Sequence, residues 1–423
     1  MDFFLLLWYS FYWMEDDNMF KKVSDPEKRK FTMSETILLV VMSLLIGISI
    51  GALLLSKTNI ITKTSTIKNK NLQELIQNYD YIINNYYEKV DERKLVDGAI
   101  SGMMESLEDE YSVYMDPTQS ENFSITLDGS YKGIGVQIVQ DEETGNIIVA
   151  SVFKNSPAHE SGLLPGDQIT KIDGVKSSEY TVEEFSSLIR ESDKDKFILE
   201  VLRDNEKKEI KLNKSVVTLS SVISEIYEKN NKKIGYIYIG IFANNSYYQF
   251  KDILDELEKE KIDSLIIDVR GNSGGHLTSV DSILDVFLTS KQKMYGFEQN
   301  GKRTYTYGTG DTNKKYEIVL LGDENSASAS EVLIAGLKEN LGSKFFGKKT
   351  FGKGTVQEMI SLTDGAQYKI TIKKWLTPKG NWINDTKGIV PDKEIELSEK
   401  YYETLKEDDD SQLNYAIEYL SNK

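Results

Sequence analysis

The sequence predicts a multi-domain α/β protein, and three observations carry that prediction. An uncharged run fills residues 36–55, short β-type runs broken by Gly and Asp turns fill about 124–217, and strands alternate with helices from Ile234 onward. At 423 residues the chain has room for more than one buried core. The boundaries expected are an N-terminal segment 1–35, the run 36–55, a linker and helical region 56–118, a β-rich module 119–217, an α/β core 218–400 and a C-terminal helical segment 401–423.

The run 36–55 holds 20 residues rich in Leu, Ile and Val, and as a helix rising about 1.5 Å per residue it spans roughly 30 Å, one bilayer core. It is therefore expected to be a single transmembrane helix. Lys21, Lys22, Lys28, Arg29 and Lys30 precede it, so the segment before it is expected in the cytoplasm and everything after it outside. The apolar region of a signal peptide is the alternative, but the run is long for one and no clear small-x-small cleavage site follows. The aromatic stretch from Phe3 to Trp13 is too short to span and reads as lying ahead of a start at Met14 or Met19.

Residues 71–107 read as helical from the spacing of Leu72, Leu75, Ile76, Tyr79, Ile82 and Ile83, then Val96, Ile100, Met103, Met104 and Leu107. Asp116-Pro117 is expected to close that region. In the core, strands are expected at 236–241, 264–269 and 317–321, and helices at 248–258, 280–288 and 329–339.

Composition excludes several chemistries. The net charge of -16 repels phosphate backbones, so nucleic acid is set aside as a partner. With no cysteine there is no disulfide, thiolate zinc site or cysteine nucleophile. The two histidines, His159 and His276, form neither HExxH nor HxH, so neither a metal nor a cofactor is expected. A catalytic base must then be a carboxylate or a lysine.

Gly133-Ile134-Gly135-Val136 places two glycines just before an apolar strand, where backbone N–H groups can converge on a carboxylate. Taken alone this reads first as a tight β-turn. With Ser156-Pro157-Ala158, Leu164-Pro165-Gly166-Asp167 and Lys171-Ile172-Asp173-Gly174 behind it, the module resembles a circularly permuted PDZ domain. That resemblance implies that a peptide tail adds as a strand beside Val136.

Three blocks in the core carry chemistry. After the apolar strand ending near Asp268 comes Gly271-Asn272-Ser273-Gly274-Gly275, a loop able to aim backbone N–H groups into a cleft. Ser273 looks like a histidine-dependent nucleophile, but no suitable histidine is at hand. Ser326-Ala327-Ser328-Ala329-Ser330-Glu331 follows a strand and leads into a helix, whose positive end favours developing negative charge at Ser328. A helix N-cap explains that block equally well. Phe351-Gly352-Lys353-Gly354 sets a lysine in a neutral, largely apolar stretch, where burial without a carboxylate lowers its pKa toward that of a base. Gln357 can orient it without adding charge; a plain turn residue is the alternative.

Together with Gly102 to Leu107, Tyr111-Ser112, Met115-Asp116-Pro117, Thr377-Pro378-Lys379-Gly380 and Gly388 to Asp392, these blocks resemble the carboxyl-terminal processing peptidases, from about residue 80 to the C-terminus. The resemblance implies a PDZ domain inserted before a ClpP/crotonase-like protease core, with Ser328 as nucleophile, Lys353 as base and Gln357 completing a triad. It implies oxyanion donors at Ala329 and Gly274, with Gly275 as a further one. The loop reads Asn-Ser-Gly-Gly where relatives often have Asn-Pro-Gly-Gly, and Ser326 and Ser330 remain neighbours open to confusion with Ser328. It also suggests gating by the PDZ module through Arg203, for which a surface ion pair is an equal reading, and a homodimer through the terminal regions. Substrates are then proteins with accessible C-terminal tails. A catalytically silent PDZ scaffold at the membrane is the alternative.

Overall fold

The computed structural model describes Met42, residues 69–310 and residues 316–423. Apart from Met42, the run 36–55 and the aromatic N-terminus lie outside the described residues. Among the described residues no helix is long and apolar enough to cross a membrane. The chain divides into two units, Met1–Glu92 and Arg93–Lys423.

In the first unit, helix α1 (Lys70–Asn85) begins where the Asn69 side chain accepts from the Asn71 N–H. Leu72, Leu75, Ile76 and Ile82 form one exposed apolar stripe along it. It ends where Asn84 and Asn85 donate back to the carbonyls of Asp80 and Tyr81 and Tyr86 turns extended. The helical stretch expected over 71–107 is thus interrupted, and a separate helix α2 (Glu92–Glu105) follows.

In the second unit, strand β1 (Val113–Met115) runs into Asp116-Pro117, which opens a helix rather than closing one. The Asp116 carboxylate accepts from the Gln119 N–H while the Gln119 side chain accepts from the Asp116 N–H, and proline fits the first turn because its missing N–H needs no partner there. This helix α3 (Pro117–Asp128) ends at Gly129, left-handed at φ 66°.

The β-rich module is closed at its neck by β2 (Ser130–Gly133), paired antiparallel with β8 (Ser215–Thr218). Between them β3 (Val136–Gln140), β4 (Ile147–Val152), β5 (Gln168–Ile172), β6 (Lys196–Arg203) and β7 (Glu206–Asn213) form an antiparallel sheet in that order. Helix α4 (Val182–Arg190) packs Phe185 and Ile189 against Ile147, Ile169 and Leu199. At the end of the order, β3 leaves one edge unpaired beside α4 among the described residues.

The core is built on a six-stranded sheet. β9 (Val222–Lys229) pairs antiparallel with β10 (Lys232–Ile239), and parallel pairing continues through β11 (Ser264–Asp268), β14 (Glu317–Gly322), β15 (Lys344–Gly347) and β18 (Lys393–Glu394). All five residues of β11 are buried, as a strand covered on both faces requires. Helices α5 (Ser246–Lys259), α6 (Leu277–Asp285) and α7 (Ala329–Leu341) cover one face, and α8 (Ser411–Ser421) covers the other through Leu413, Ile417 and Leu420. A second sheet joins β1, β12 (Lys293–Gln299), β13 (Lys302–Tyr307), β16 (Thr355–Ser361) and β17 (Gln367–Leu376), with β17 pairing β16, β1 and β12. The C-terminal ends of neighbouring β11 and β14 therefore release the glycine loop and the serine turn side by side, where open α/β sheets bind ligands.

Candidate active site

Ser328 sits at the N-terminus of α7 with φ 54° and ψ −111°, a conformation non-glycine residues rarely adopt. Its neighbours hold the turn. Ser326 and Ser330 are fully buried and donate their hydroxyls to the carbonyls of Val269 and Asn272. The Ala327 N–H also donates to the Asn272 carbonyl, so the turn is clamped onto the glycine loop. Ser326 and Ser330 are thereby committed to structure, and among the described residues the Ser328 hydroxyl carries no such bond.

The glycine loop lies directly on this turn. A Cβ added at Gly274 would stand 3.1 Å from the Ser328 Cβ and 3.3 Å from the Ala329 nitrogen, and one at Gly275 would stand 2.3 Å from the Phe242 carbonyl oxygen. Both have positive φ, 117° and 138°. The Gly274 N–H donates to Oδ1 of buried Asn272, whose Nδ2 donates to the Ile239 carbonyl. Gly274, expected as the leading oxyanion donor of the loop, has its N–H engaged here. The N–H groups of Ala329 and Gly275 make no hydrogen bond among the described residues.

Lys353 is held by its backbone. Its N–H donates to Glu331, its carbonyl accepts from Trp375 Nε1 at 2.7 Å, and the next carbonyl accepts from Trp382 Nε1. The side chain reaches neither carboxylate nor hydroxyl among the described residues; Nζ rests 4.7 Å from the Tyr111 ring centroid. Burial first, and then the charge of Lys369, lowers its pKa to about 8, against the pull of Asp109, Glu331 and Glu110. No hydrogen bond joins this amine to the Ser328 hydroxyl. Nor does Gln357 hydrogen-bond the lysine; its Nε2 donates to the hydroxyls of Thr355 and Thr371.

The two turns are brought together by Glu331, on the first turn of α7 and fully buried. One carboxylate oxygen accepts from the N–H groups of Ser328 (2.8 Å) and Lys353 (2.9 Å), and the other from the Gly352 N–H and the Thr350 hydroxyl. Burial raises its pKa, and the donated hydrogen bonds work against that rise. Sequence reasoning quoted Glu331 only as a neighbour. The Ser-x-x-Glu spacing of a capping box held the signal, because it aims a carboxylate back at the residue that begins the helix. Tyr111 stands in the sequence only as part of the Tyr111-Ser112 block, with nothing to tie it to Lys353, and no local pattern marks Lys369.

In the β-rich module, Gly133, Ile134, Gly135 and Val136 lead into the free edge of β3. Gly135, at φ 81°, packs so close to Ser156 that a Cβ would meet its Cβ at 2.2 Å, and its carbonyl accepts from the Ser156 hydroxyl. Between β3 and α4 lies a cavity of about 220 Å³ lined by Val136, Ile138, Phe185 and Ile189. Ile125 of α3 also lines it, and Glu121 of α3 pairs with Arg190 of α4. Arg203 makes a two-pronged bond to buried Asp167 and donates to the Gly162 carbonyl, so its partners all lie within the module. Arg203→Met is accordingly expected to destabilise this module by about 3 kcal/mol, because it strands a buried carboxylate. Denaturant unfolding checks this; a variant of unchanged stability with an altered reaction rate at Ser328 would instead give Arg203 the gating role.

An antiparallel module with an open strand edge, joined to an α/β core in which serine and lysine turns meet above parallel strands, is the architecture of a hydrolase that works on peptides. The sequence matches the PDZ domain over residues 132–213, Peptidase family S41 over 233–395 and the activating protease CtpB N-terminal domain over 52–119. It is 38% identical over 327 residues to carboxy-terminal processing protease CtpB of Bacillus subtilis, covering 77% of this chain and 68% of that protein. It is 35% identical to carboxy-terminal processing protease CtpA of the same organism, covering 79% and 71%, and 34% identical to a probable CtpA-like serine protease of Staphylococcus aureus, covering 77% and 65%. The chain belongs to the carboxy-terminal processing proteases of Peptidase family S41. It is a serine-type peptidase with a PDZ domain, acting on peptides or proteins, and the silent-scaffold reading falls with that membership.

Proposed function

We propose that this peptidase is anchored by residues 36–55 with its catalytic part outside the cytoplasmic membrane, captures substrate C-terminal tails in the β3–α4 groove, and cleaves them through Ser328 and Lys353. In the reaction the Lys353 amine leaves the Tyr111 ring and takes the Ser328 hydroxyl proton as Oγ attacks the scissile carbonyl. That proton passes to the leaving amine, an ester forms on Ser328, and water then releases the acid. Developing negative charge on the carbonyl oxygen falls to the N–H groups of Ala329 and of the glycine loop. Gln357 steadies the hairpin that carries Lys353. No metal or cofactor takes part in this scheme, and a homodimer through the terminal regions is part of the same reading.

The observation that carries it is the Glu331 carboxylate bound at once to the backbones of the serine and lysine turns, beside an amine that pairs with no carboxylate among the described residues. The uncharged run after five basic residues supports the anchor. The test is labelling with a fluorophosphonate followed by peptide mass mapping. A single adduct on Ser328, slowed by a competing unfolded protein, is the result expected. An adduct on Ser273, Ser326 or Ser330, or cleavage that persists in Ser328→Ala, overturns the assignment.

A further inference from the structure

The Lys353 amine stands among charges of both signs. Asp109 and Glu110, in the segment before β1, and Glu331 on α7 favour its protonation, whereas Lys369 on β17 opposes it. Tyr111 faces it with a neutral ring, the phenol being pushed up mainly by burial and then by Glu110. The three carboxylates draw a proton onto the amine, and what opposes them is burial first and the Lys369 charge second, so Lys369 is the one charged group here that acts against protonation.

Lys369 is placed by two strand pairings. It lies opposite Met359 of β16 and opposite Val113 of β1, two residues along from Thr371, whose hydroxyl holds Gln357. Alternation puts Lys369 and Thr371 on one face of β17. Its ammonium sits 5.4 Å from the Phe123 ring centroid and makes no ion pair among the described residues. Burial lowers its own pKa, and Asp109 acts against that, toward the charged form. No carboxylate among the described residues ion-pairs with this ammonium, so its charge is left to act on the groups around it.

We propose that Lys369 is a positioning residue for the reaction: its charge repels the proton from the Lys353 amine and keeps that amine ready to accept one from Ser328. The inference rests on Lys353 being the base. A cationic neighbour is one of the general ways by which a lysine is made basic at working pH.

The test is the pH profile, from pH 6 to 10, of cleavage of an unfolded protein by the full chain. The wild-type rate is expected to rise through a midpoint near 8, where Lys353 loses its proton. Lys369→Met is expected to move that midpoint to higher pH, so that the rate falls about tenfold at pH 7 and returns to within about twofold of wild type at pH 10. Lys369→Arg retains the charge and is expected to keep the wild-type midpoint. A Lys369→Met profile with the wild-type midpoint, whether or not uniformly slower, overturns the proposal. Should Lys369→Met fail to fold, Lys369→Gln answers the same question. Lys353→Ala separates the two layers: if it still cleaves, the base assignment is wrong, and if it is inactive while Lys369→Met is unshifted, only the role of Lys369 fails.

Discussion

Replacing Lys353 by Met is expected to reduce cleavage by a factor of about 10³ or more while making the folded protein more stable at pH 7. The two effects have one cause. Burial, reinforced by Lys369, takes the amine from its ordinary 10.5 down to about 8. Between those values the unfolded chain binds a proton that the folded chain lacks, so stability from this group rises with pH across that window. Below it the native state carries the full penalty of a protonated, half-buried amine, on the order of 2 kcal/mol after screening by solvent. Met keeps the apolar stem against Tyr111 and removes that penalty. The turn itself depends on the backbone bonds to Glu331 and Trp375, which the substitution leaves in place. Urea melts at pH 7 and pH 10 should show the advantage of Lys353→Met shrinking at the higher pH. Ser328→Ala is expected to lose activity to the same degree without that pH-dependent gain. Turnover by Lys353→Met above a tenth of wild type would remove the lysine from the mechanism.

What the sequence made legible follows from how locally each feature is encoded. The lysine turn could be read because glycines flank it and residues 350–357 carry no other charge. The edge strand of the PDZ module was legible through the resemblance carried by the two glycines and the Leu164-Pro165-Gly166-Asp167 block, and the structure gives the reason for one of those glycines, since Gly135 packs against Ser156 too closely for a Cβ. By contrast Asp116-Pro117 misled, since the same pair that ends one helix can start another, and the deciding Gln119 lies three residues further on. The environment of Lys353 was not legible at all. It is assembled when β1 pairs with β17, a contact in which the Thr371 N–H donates to the Ser112 hydroxyl across 259 residues. Spacing rules reach a few residues, so the place of Tyr111 and Lys369 around Lys353 stays hidden until that pairing is known. Arg203 shows the reverse difficulty: an arginine at a strand end has the same local signature whether it signals to a distant site or braces Asp167.

Glu331→Ala is expected to destroy both activity and much of the stability of the core, and Glu331→Gln to separate the two. The carboxylate is fully buried and accepts from three backbone N–H groups and one hydroxyl. Alanine leaves four donors without acceptors, and at about 1–3 kcal/mol for each buried group the loss reaches roughly 4 kcal/mol even if water satisfies half of them. Relief from burying a charge offsets part of this, but water cannot hold the Ser328 and Lys353 turns against each other. Their separation alone is expected to lower cleavage by at least about 10²-fold at temperatures where the fold persists, because an error of about 1 Å in the reacting geometry has that effect. Glutamine preserves the shape and one acceptor oxygen yet turns an NH₂ group toward two of the donors. It is expected to melt within about 2 kcal/mol of wild type and still to cleave at least about tenfold more slowly. Rates of cleavage and denaturant midpoints for the two variants decide the matter. Wild-type turnover in either one would mean that the shared glutamate is a packing feature, and that the approach of serine to lysine is set by something else.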